Sequence, residues 1–398
     1  MMGDRQYDVC IIGGGLVGLF SALFLVQRDR SVVLLEMGEC GREASRLNFG
    51  NLRLQGRNPA EYPLALSAHD LWERFEAVTG ENCAIERCGQ AYIALAPDQH
   101  ARLERIAAQA NAAGINVNLL DDDAVRRRWP ALAPLVSAAT WSPRDAVAEP
   151  PAATAALIRA ARRAGVVIRE GTTVVSIERT PAGVEVRAKD GRSITGRHVV
   201  NAAGAWAGRL AAALGEPVPM VAAGPQLVLT SQAASLNLPS MLAADGSIIF
   251  RQRPDGRILT TMFPRQPGNL ENGMPPIKPA QIERTLTRLA EVVPALGNVT
   301  VEQAWSGVEG YLPDMLPVLS PSRTTEGVIH AFGFSGHGYQ LSPGVGRAIA
   351  DLVTKERAGV PIAAFDIARF KGEVVPDDRF KREFEMSAVA SATRNGGT

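Results

Sequence analysis

The sequence predicts an α/β protein in which a Rossmann-like dinucleotide-binding domain is interleaved with an α+β domain built on an antiparallel sheet. Three observations predict it. The chain opens on strand, glycine turn, helix and second strand; the same grammar returns twice further on; and the segments between read as alternating strands with few helices. At 398 residues the chain exceeds what one hydrophobic core organises, so two domains with a cleft between them are expected.

The opening unit is the most informative stretch. Tyr7-Asp8-Val9-Cys10-Ile11-Ile12 is a short apolar strand, and Gly13, Gly15 and Gly18 occupy the first, third and sixth positions of the turn and helix that follow. Gly13 is expected to make the tight turn, Gly15 to let the backbone approach a pyrophosphate, and Gly18 to let the helix pack closely on the strand. The first helical amides, at Leu16 and Val17, face the phosphates. A second strand, Ser31 to Leu35, ends at Glu36, about 20 residues on, where an acidic side chain holds an adenosine ribose, with Met37 beside it. Glycines in that spacing are weak alone; the β-branched strands and Glu36 make them specific. A helix hairpin or a membrane segment explains neither.

Composition narrows the partners. With 46% hydrophobic residues, 21% charged and a net charge of +1, nothing draws the chain to nucleic acid or an anionic membrane. Only Met-Met-Gly-Asp-Arg-Gln precedes the first strand, too little for a secretory signal, so a cytoplasmic protein is expected. The uncharged run from Val9 to Val26 holds three consecutive glycines between polar flanks and reads as buried strand and helix, not a transmembrane segment. Cys10, Cys40, Cys83 and Cys88 have no metal-ligand spacing and are expected as reduced, mostly buried thiols; no metal site is expected. His69, His100 and His198 are expected at the surface.

Glu39 to Arg57 follows Glu36 with no periodicity but many small, amide and Arg residues, the pattern of a functional loop placed to cover a ligand. A packing helix runs from Tyr62 to Gly80. Then come a strand over Ala84 to Ala94, an amphipathic helix over Pro97 to Ala113, a strand over Asn116 to Leu120, and Arg126-Arg127-Arg128, read as the solvated face of a short helix. Pro150-Pro151 opens a helix to Arg163, a strand and a hairpin follow, and Val200-Asn201-Ala202-Ala203-Gly204-Ala205-Trp206 returns to βαβ grammar. From Pro217 to Val308 alternating strands share one helix, Pro279 to Val293. Strand Gly327 to Phe334, Gly336-His337-Gly338 and a helix N-capped by Ser342, with Pro343 in its first turn, end the folded part. These readings give a nucleotide domain over 1–82, 145–216 and 310–376, a substrate domain over 83–144 and 217–309, and a frayed tail over 377–398.

Three motifs in order, Gly13-x-Gly15-x-x-Gly18 with Glu36, Val200 to Trp206, and Gly333 to Gly338, resemble the D-amino acid oxidase and sarcosine oxidase superfamily of FAD-dependent oxidoreductases. Within it the chain looks like glycine oxidase and the β-type subunits of D-hydroxyproline or opine dehydrogenases, over about Tyr7 to Glu356. The resemblance implies bound FAD, touched by Gly13, Gly15, Leu16, Val17, Gly18, Glu36, Met37, Ala44, Ser45, Asn48, Val174, Ala203, Gly204, Trp206, Gly336, His337, Gly338, Tyr339 and Gln340. The implied reaction is oxidation of a C–N bond next to a carboxylate, with hydride passing from carbon to flavin N5 and the imine hydrolysing. The substrate would be a D-amino acid, an imino acid or an N-substituted amino acid, and the acceptor oxygen, a quinone or a partner protein. His337 either packs under the ring or acts in catalysis.

Departures from the family set the open questions. Where sarcosine oxidases carry a Lys two positions after the glycine-histidine-glycine run, this chain has Gln340, and where glycine oxidases carry a carboxylate-binding Arg it has Glu309. Either another cation takes the substrate carboxylate, with Arg53 the first candidate, Arg251 the second, and Arg57 and Arg253 available, or Glu309 meets a substrate cation. No Cys lies near Pro313-Asp314, where sarcosine oxidases tether the flavin, so FAD is expected to be non-covalent. An alternative class is an FAD-bearing subunit that needs companion chains for turnover; a non-catalytic nucleotide-binding module would not retain all three motifs.

Overall fold

A parallel sheet carries the nucleotide end of the molecule. In the computed structural model, which describes residues 6–271, 274–372 and 374–384, Tyr7–Ile12 lies at its centre between Ser193–Asn201 and Val32–Leu35. Val328–Phe332 and Val167–Arg169 extend it in the same direction, Val318–Pro321 closes one edge antiparallel, and the hairpin of Val174–Thr180 and Gly183–Ala188 leans on Ser193–Asn201. Val9, Cys10, Ile11, Val33 and Leu34 are wholly buried, as strands covered on both faces require. The helix Leu16–Val26 packs between Pro150–Arg163 and Gly338–Lys355 on one of those faces.

The second sheet runs Val301–Ser306, Gln226–Gln232, Arg257–Thr261, Ile249–Gln252, Ser240–Ala243, Gln90–Ala94, Ala138–Ser142 and Asn118–Leu120. It is antiparallel except where Ser240–Ala243 runs parallel to Gln90–Ala94. Period-two alternation divides its faces. Ala91, Ile93, Met241, Phe250 and Ile258 pack with Leu289 and Val292 of the helix Pro279–Val292 and with Trp129. Tyr92, Leu242, Ile249 and Thr261 turn instead to a central cavity. A small third sheet, Gln266–Pro267, Val221–Gly224 and Glu309–Tyr311, sits beside that cavity.

Several expected elements differ. The helix from Tyr62 breaks at Arg74, giving Tyr62–Glu73 and Phe75–Thr79 before the left-handed Gly80. The strand expected from Ala84 begins only at Gln90, because Gly89 turns at φ +71° and a methyl there would lie 2.0 Å from the Trp141 ring. His69 is buried, not exposed, with Nε2 3.5 Å from Glu73 Oε1. Ser342 is not an N-cap: the helix starts at Gly338, with His337 at the cap and Pro343 inside. Pro343 has no N–H for the Tyr339 carbonyl one turn back, and the Ser342 hydroxyl donates to that oxygen instead, at 2.8 Å. Nor does the segment after Asp377 fray at once. Asp378–Phe384 is a helix whose Phe380 and Phe384 pack on Tyr311 and Met315; the rest of the expected tail, 385–398, lies outside the described residues.

Candidate active site

A cavity of about 700 Å³ runs from the glycine turn of the parallel sheet to the inner face of the second sheet. At the turn, Gly13 has φ +108°, and a methyl on it would lie 2.3 Å from the Ala202 carbonyl oxygen. Gly18 does not line the cavity; a methyl there would lie 2.0 Å from the Gly13 oxygen, so its part is to let the helix close on the turn. Glu36 is held on the wall, with Oε2 accepting from the Gly14 amide at 2.7 Å and Oε1 from the Gly38 amide at 2.8 Å.

The loop after Glu36 folds back over this end. Leu16 N donates to Ser45 Oγ at 2.9 Å, and Asn48 Oδ1 accepts from Gly50 N at 2.8 Å. Ala44, Ser45, Asn48, Met37 and Val174 line the cavity with Gly15, Leu16 and Val17, and Ala203, Gly204 and Trp206 form a further wall.

The other end is built by Gly336 to Gln340, all on the wall. The amides that open the helix Gly338–Lys355 point to this end, so its positive pole faces the cavity. His337 is buried. Its Nδ1 is 2.9 Å from Glu61 Oε1, its Nε2 is 2.7 Å from Arg53 Nη2, and the Arg379 guanidinium touches Nε2 as well. Burial, then the charges of Arg379, Arg57, Arg53 and Arg265, hold its pKa well below the ordinary histidine value. Gln340 is locked: its Oε1 accepts from Arg57 Nη2 at 2.7 Å and its Nε2 donates to Ala65 O at 2.9 Å.

Beside Gly336 a charged cluster converges. A methyl on this glycine, at φ +80°, would lie 3.3 Å from Arg379 Nη2, 3.6 Å from the Tyr311 hydroxyl and 3.7 Å from Arg265 Nη2. Glu383 ties the two arginines together, accepting from Arg265 Nε at 3.0 Å and from Arg379 Nε at 2.7 Å. The Tyr311 hydroxyl donates to Glu309 Oε2, which places Glu309 on the cavity wall.

The sequence candidates therefore divide. Arg53, Glu309, His337 and Gln340 meet at one end of the cavity. Arg53 is heavily engaged, its Nη1 donating to the carbonyls of Gln55 and Gly56. Arg251 is a correction: it is off the cavity wall, buried, with Nη2 on Glu149 Oε1 at 2.8 Å and Nε on Phe49 O at 3.1 Å. It clamps two loops. Arg253 shares Glu149, and Arg57 braces Arg53 O and Gln340. Arg265, Arg379 and Glu383 escaped the sequence reading, the first because it sits in a Pro/Gly-rich loop and the others because they lie in the segment expected to fray. The one sequence signal pointing toward such residues was the departure from the family's cations at Gln340 and Glu309.

These residues fit FAD. Glu36 and the Gly13–Val17 turn suit a ribose and a pyrophosphate, and at the far end the backbone of Gly336 to Gly338 lies open to the cavity beside the helix amides. Among the described residues no group of His, Cys, Asp and Glu could hold a metal, and no helix is long and apolar enough to cross a membrane. Fold and site define a flavin-dependent oxidoreductase of the dinucleotide-binding class. The chain belongs to the DAO family of FAD dependent oxidoreductases, which it matches over residues 8–352.

Relatives of known name agree. The chain is 28% identical over 378 residues to glycine oxidase of Geobacillus kaustophilus, covering 93% of this chain and 99% of that one. It is 26% identical over 414 residues to hydrogen cyanide synthase subunit HcnC of Pseudomonas aeruginosa, covering 93% and 98%. The crystal structure of the Geobacillus glycine oxidase matches with a TM-score of 0.85 at 27% identity, over 92% of this chain and all of that one. The protein is an FAD-dependent oxidoreductase that acts on C–N bonds of amino-acid-like substrates.

Proposed function

We propose that the chain oxidises a D-amino acid, a proline-like imino acid or an N-substituted amino acid of the sarcosine or opine type, with Arg265 holding the substrate carboxylate. The observation that carries this reading is the state of that guanidinium. Its Nε is fixed by Glu383, while its terminal nitrogens have no hydrogen-bond partner among the described residues and reach to within 3.7 Å of the position a methyl on Gly336 would take. A fork of free N–H groups beside the flavin end of the cavity is what a carboxylate pairs with. Arg265 thus takes the place that the sequence reading gave first to Arg53.

Bound non-covalently, FAD supplies the acceptor for the hydride leaving the α-carbon, and the imine product hydrolyses in water. The chain supplies alignment. Arg265 sets the carboxylate, and Glu309, one oxygen on Tyr311 and the other free among the described residues, faces the amine. Tyr92, Ile249 and Phe263 wall off water. Glu36 fixes the ribose, and the loop carrying Ser45 and Asn48 covers the cofactor.

The first experiment adds a panel of D-amino acids, prolines, N-methyl amino acids and opines to the purified holoenzyme without oxygen. Bleaching of the flavin by one class supports the reading and names the class. Arg265→Ala should then raise the substrate concentration for half-maximal reduction by about 100-fold with flavin content kept; an unchanged value sinks the assignment of Arg265. A second reading, an FAD-bearing subunit of a hetero-oligomer, is favoured by the relative whose name makes it a subunit and which matches along 98% of its length. A flavin bleached only when companion chains are present would establish that reading.

A further inference from the structure

We infer that Arg102 and Arg382 form a second anion site in the same cavity, which takes a second carboxylate on the substrate. The inference rests on the proposed amine oxidation and narrows its substrate to dicarboxylic amines. Arg102 stands on the helix His100–Ala112 and Arg382 on the helix Asp378–Phe384, and both line the cavity.

What sets this pair apart is that neither guanidinium is paired with a carboxylate, although the charges of Asp377, Glu383 and Asp378 act on Arg382 from its own helix and the residue before it. Arg379 and Arg265 share Glu383, and Arg53 spends Nη1 on two carbonyls. Arg102 and Arg382 have no hydrogen bond or ion pair with any described residue. They also oppose each other: after burial, the charge of Arg382 is the largest influence holding the Arg102 pKa down, to about 10. Two like charges turned into one partly desolvated cavity are a cost in the free protein that an anion between them removes.

Position says which anion. The Arg102 guanidinium is in the field of Tyr92 and Arg379, at the substrate end, and not at the Gly13–Val17 turn where a pyrophosphate belongs. Arg379 and Arg382 are three residues apart on one helix, which puts their side chains side by side, about 5–6 Å apart at their bases. A carboxylate at Arg102 and Arg382 would then share the end of the cavity where Glu383 joins Arg379 to Arg265. That placement suits an N-carboxyalkyl amino acid, or an amino acid with an acidic side chain, and leaves a monocarboxylic amine with the second site unfilled.

The test compares matched pairs on the holoenzyme: N-methylglycine with N-(carboxymethyl)glycine, and D-norvaline with D-glutamate, scored by anaerobic flavin reduction. In parallel, glutarate and butyrate, which cannot be oxidised, are titrated against the flavin spectrum. The expected result is at least tenfold tighter use of the dicarboxylic member, tighter binding of glutarate than butyrate, and a preference that falls at least tenfold in Arg102→Gln and in Arg382→Gln. Equal use of both members, or a preference untouched by either substitution, overturns the inference while leaving the amine oxidation standing. If no amine bleaches the flavin yet glutarate still binds through Arg102 and Arg382, the anion site holds and the amine reading falls.

Discussion

Nη2 of Arg53 lies 2.7 Å from Nε2 of His337, and the guanidinium of Arg379 meets the same ring nitrogen. A guanidinium has only N–H to offer, so Nε2 is the acceptor and the ring proton sits on Nδ1, donated to Glu61. His337 is neutral, with a pKa well below 6.5 through burial and the surrounding arginines. The rate of anaerobic flavin reduction should therefore show no limb near pH 6.5 that His337→Asn removes. The sign for stability follows from the same shift. The unfolded chain binds a proton at this ring below pH 6.5 that the folded one refuses, so the ring's contribution is complete above that pH and lost as pH falls. A wild-type melting temperature falling no more steeply from pH 7 to pH 5 than that of His337→Asn would contradict the assignment.

Asp145 works in the opposite sense. It is fully buried, its Oδ1 accepts from Leu54 N at 2.9 Å, and burial raises its pKa from 3.8 to about 6. A carboxyl whose folded pKa is raised stabilises the fold fully below the unfolded value, and loses that contribution as pH climbs through the folded one. Asp145→Asn keeps the acceptor for Leu54 and does not ionise. The variant should gain on wild type by about 1–1.5 kcal/mol between pH 5 and pH 8, since roughly half of the effect is already present at pH 5. Thermal unfolding at the two pH values measures it, and a gap that stays constant refutes it.

Glu36 makes the prediction for the cofactor. Its carboxylate pins the amides of Gly14 and Gly38, so an apolar replacement loosens the turn and, on the proposed reading, also removes the ribose contact. Glu36→Leu should weaken FAD binding by about 10- to 100-fold, the worth of a hydrogen-bonded charge. Flavin absorbance per protein after dialysis reads this directly. Full retention would move the ribose elsewhere.

The nucleotide end was legible in sequence because its constraints are local. Gly13, Gly18 and Glu36 are fixed by a turn, a helix and a strand that follow one another: Gly13 by its φ of +108°, Gly18 by the Gly13 oxygen and Glu36 by the Gly14 and Gly38 amides, with only the Ala202 contact of Gly13 coming from far along the chain. The substrate end was not. Arg265, Arg379 and Glu383 come from two separate stretches that only the tertiary fold joins, and no periodicity marks them. Arg251 shows the reverse error: its mid-strand position in the second sheet is real and it shares a face with the cavity-lining Ile249, but two residues further along the strand it meets Glu149 and the Phe49 carbonyl instead. Ser342 and Pro343 looked like a helix start because that pairing usually is one. Here the hydroxyl of the first replaces the N–H missing from the second, and the helix runs through.

The C-terminal helix supplies the last prediction, because it joins a surface segment to the site. Arg379 and Glu383 reach the cavity from Asp378–Phe384, and the aromatic contacts of Phe380 and Phe384 with Tyr311 and with each other hold the helix there. A chain ending at Pro376 lacks both charged groups, and Arg265 loses the carboxylate that fixes its Nε. Such a chain should keep its FAD, because Glu36 and the glycine turn are at the other end of the cavity, yet need at least about tenfold more substrate for half-maximal flavin reduction. Phe384→Ala, which leaves Arg379 and Glu383 in place but weakens the aromatic dock, should shift the same quantity in the same direction by less. Equal substrate requirements in the full-length and shortened chains would mean that the helix merely covers Tyr311, and that Arg265 is oriented without it.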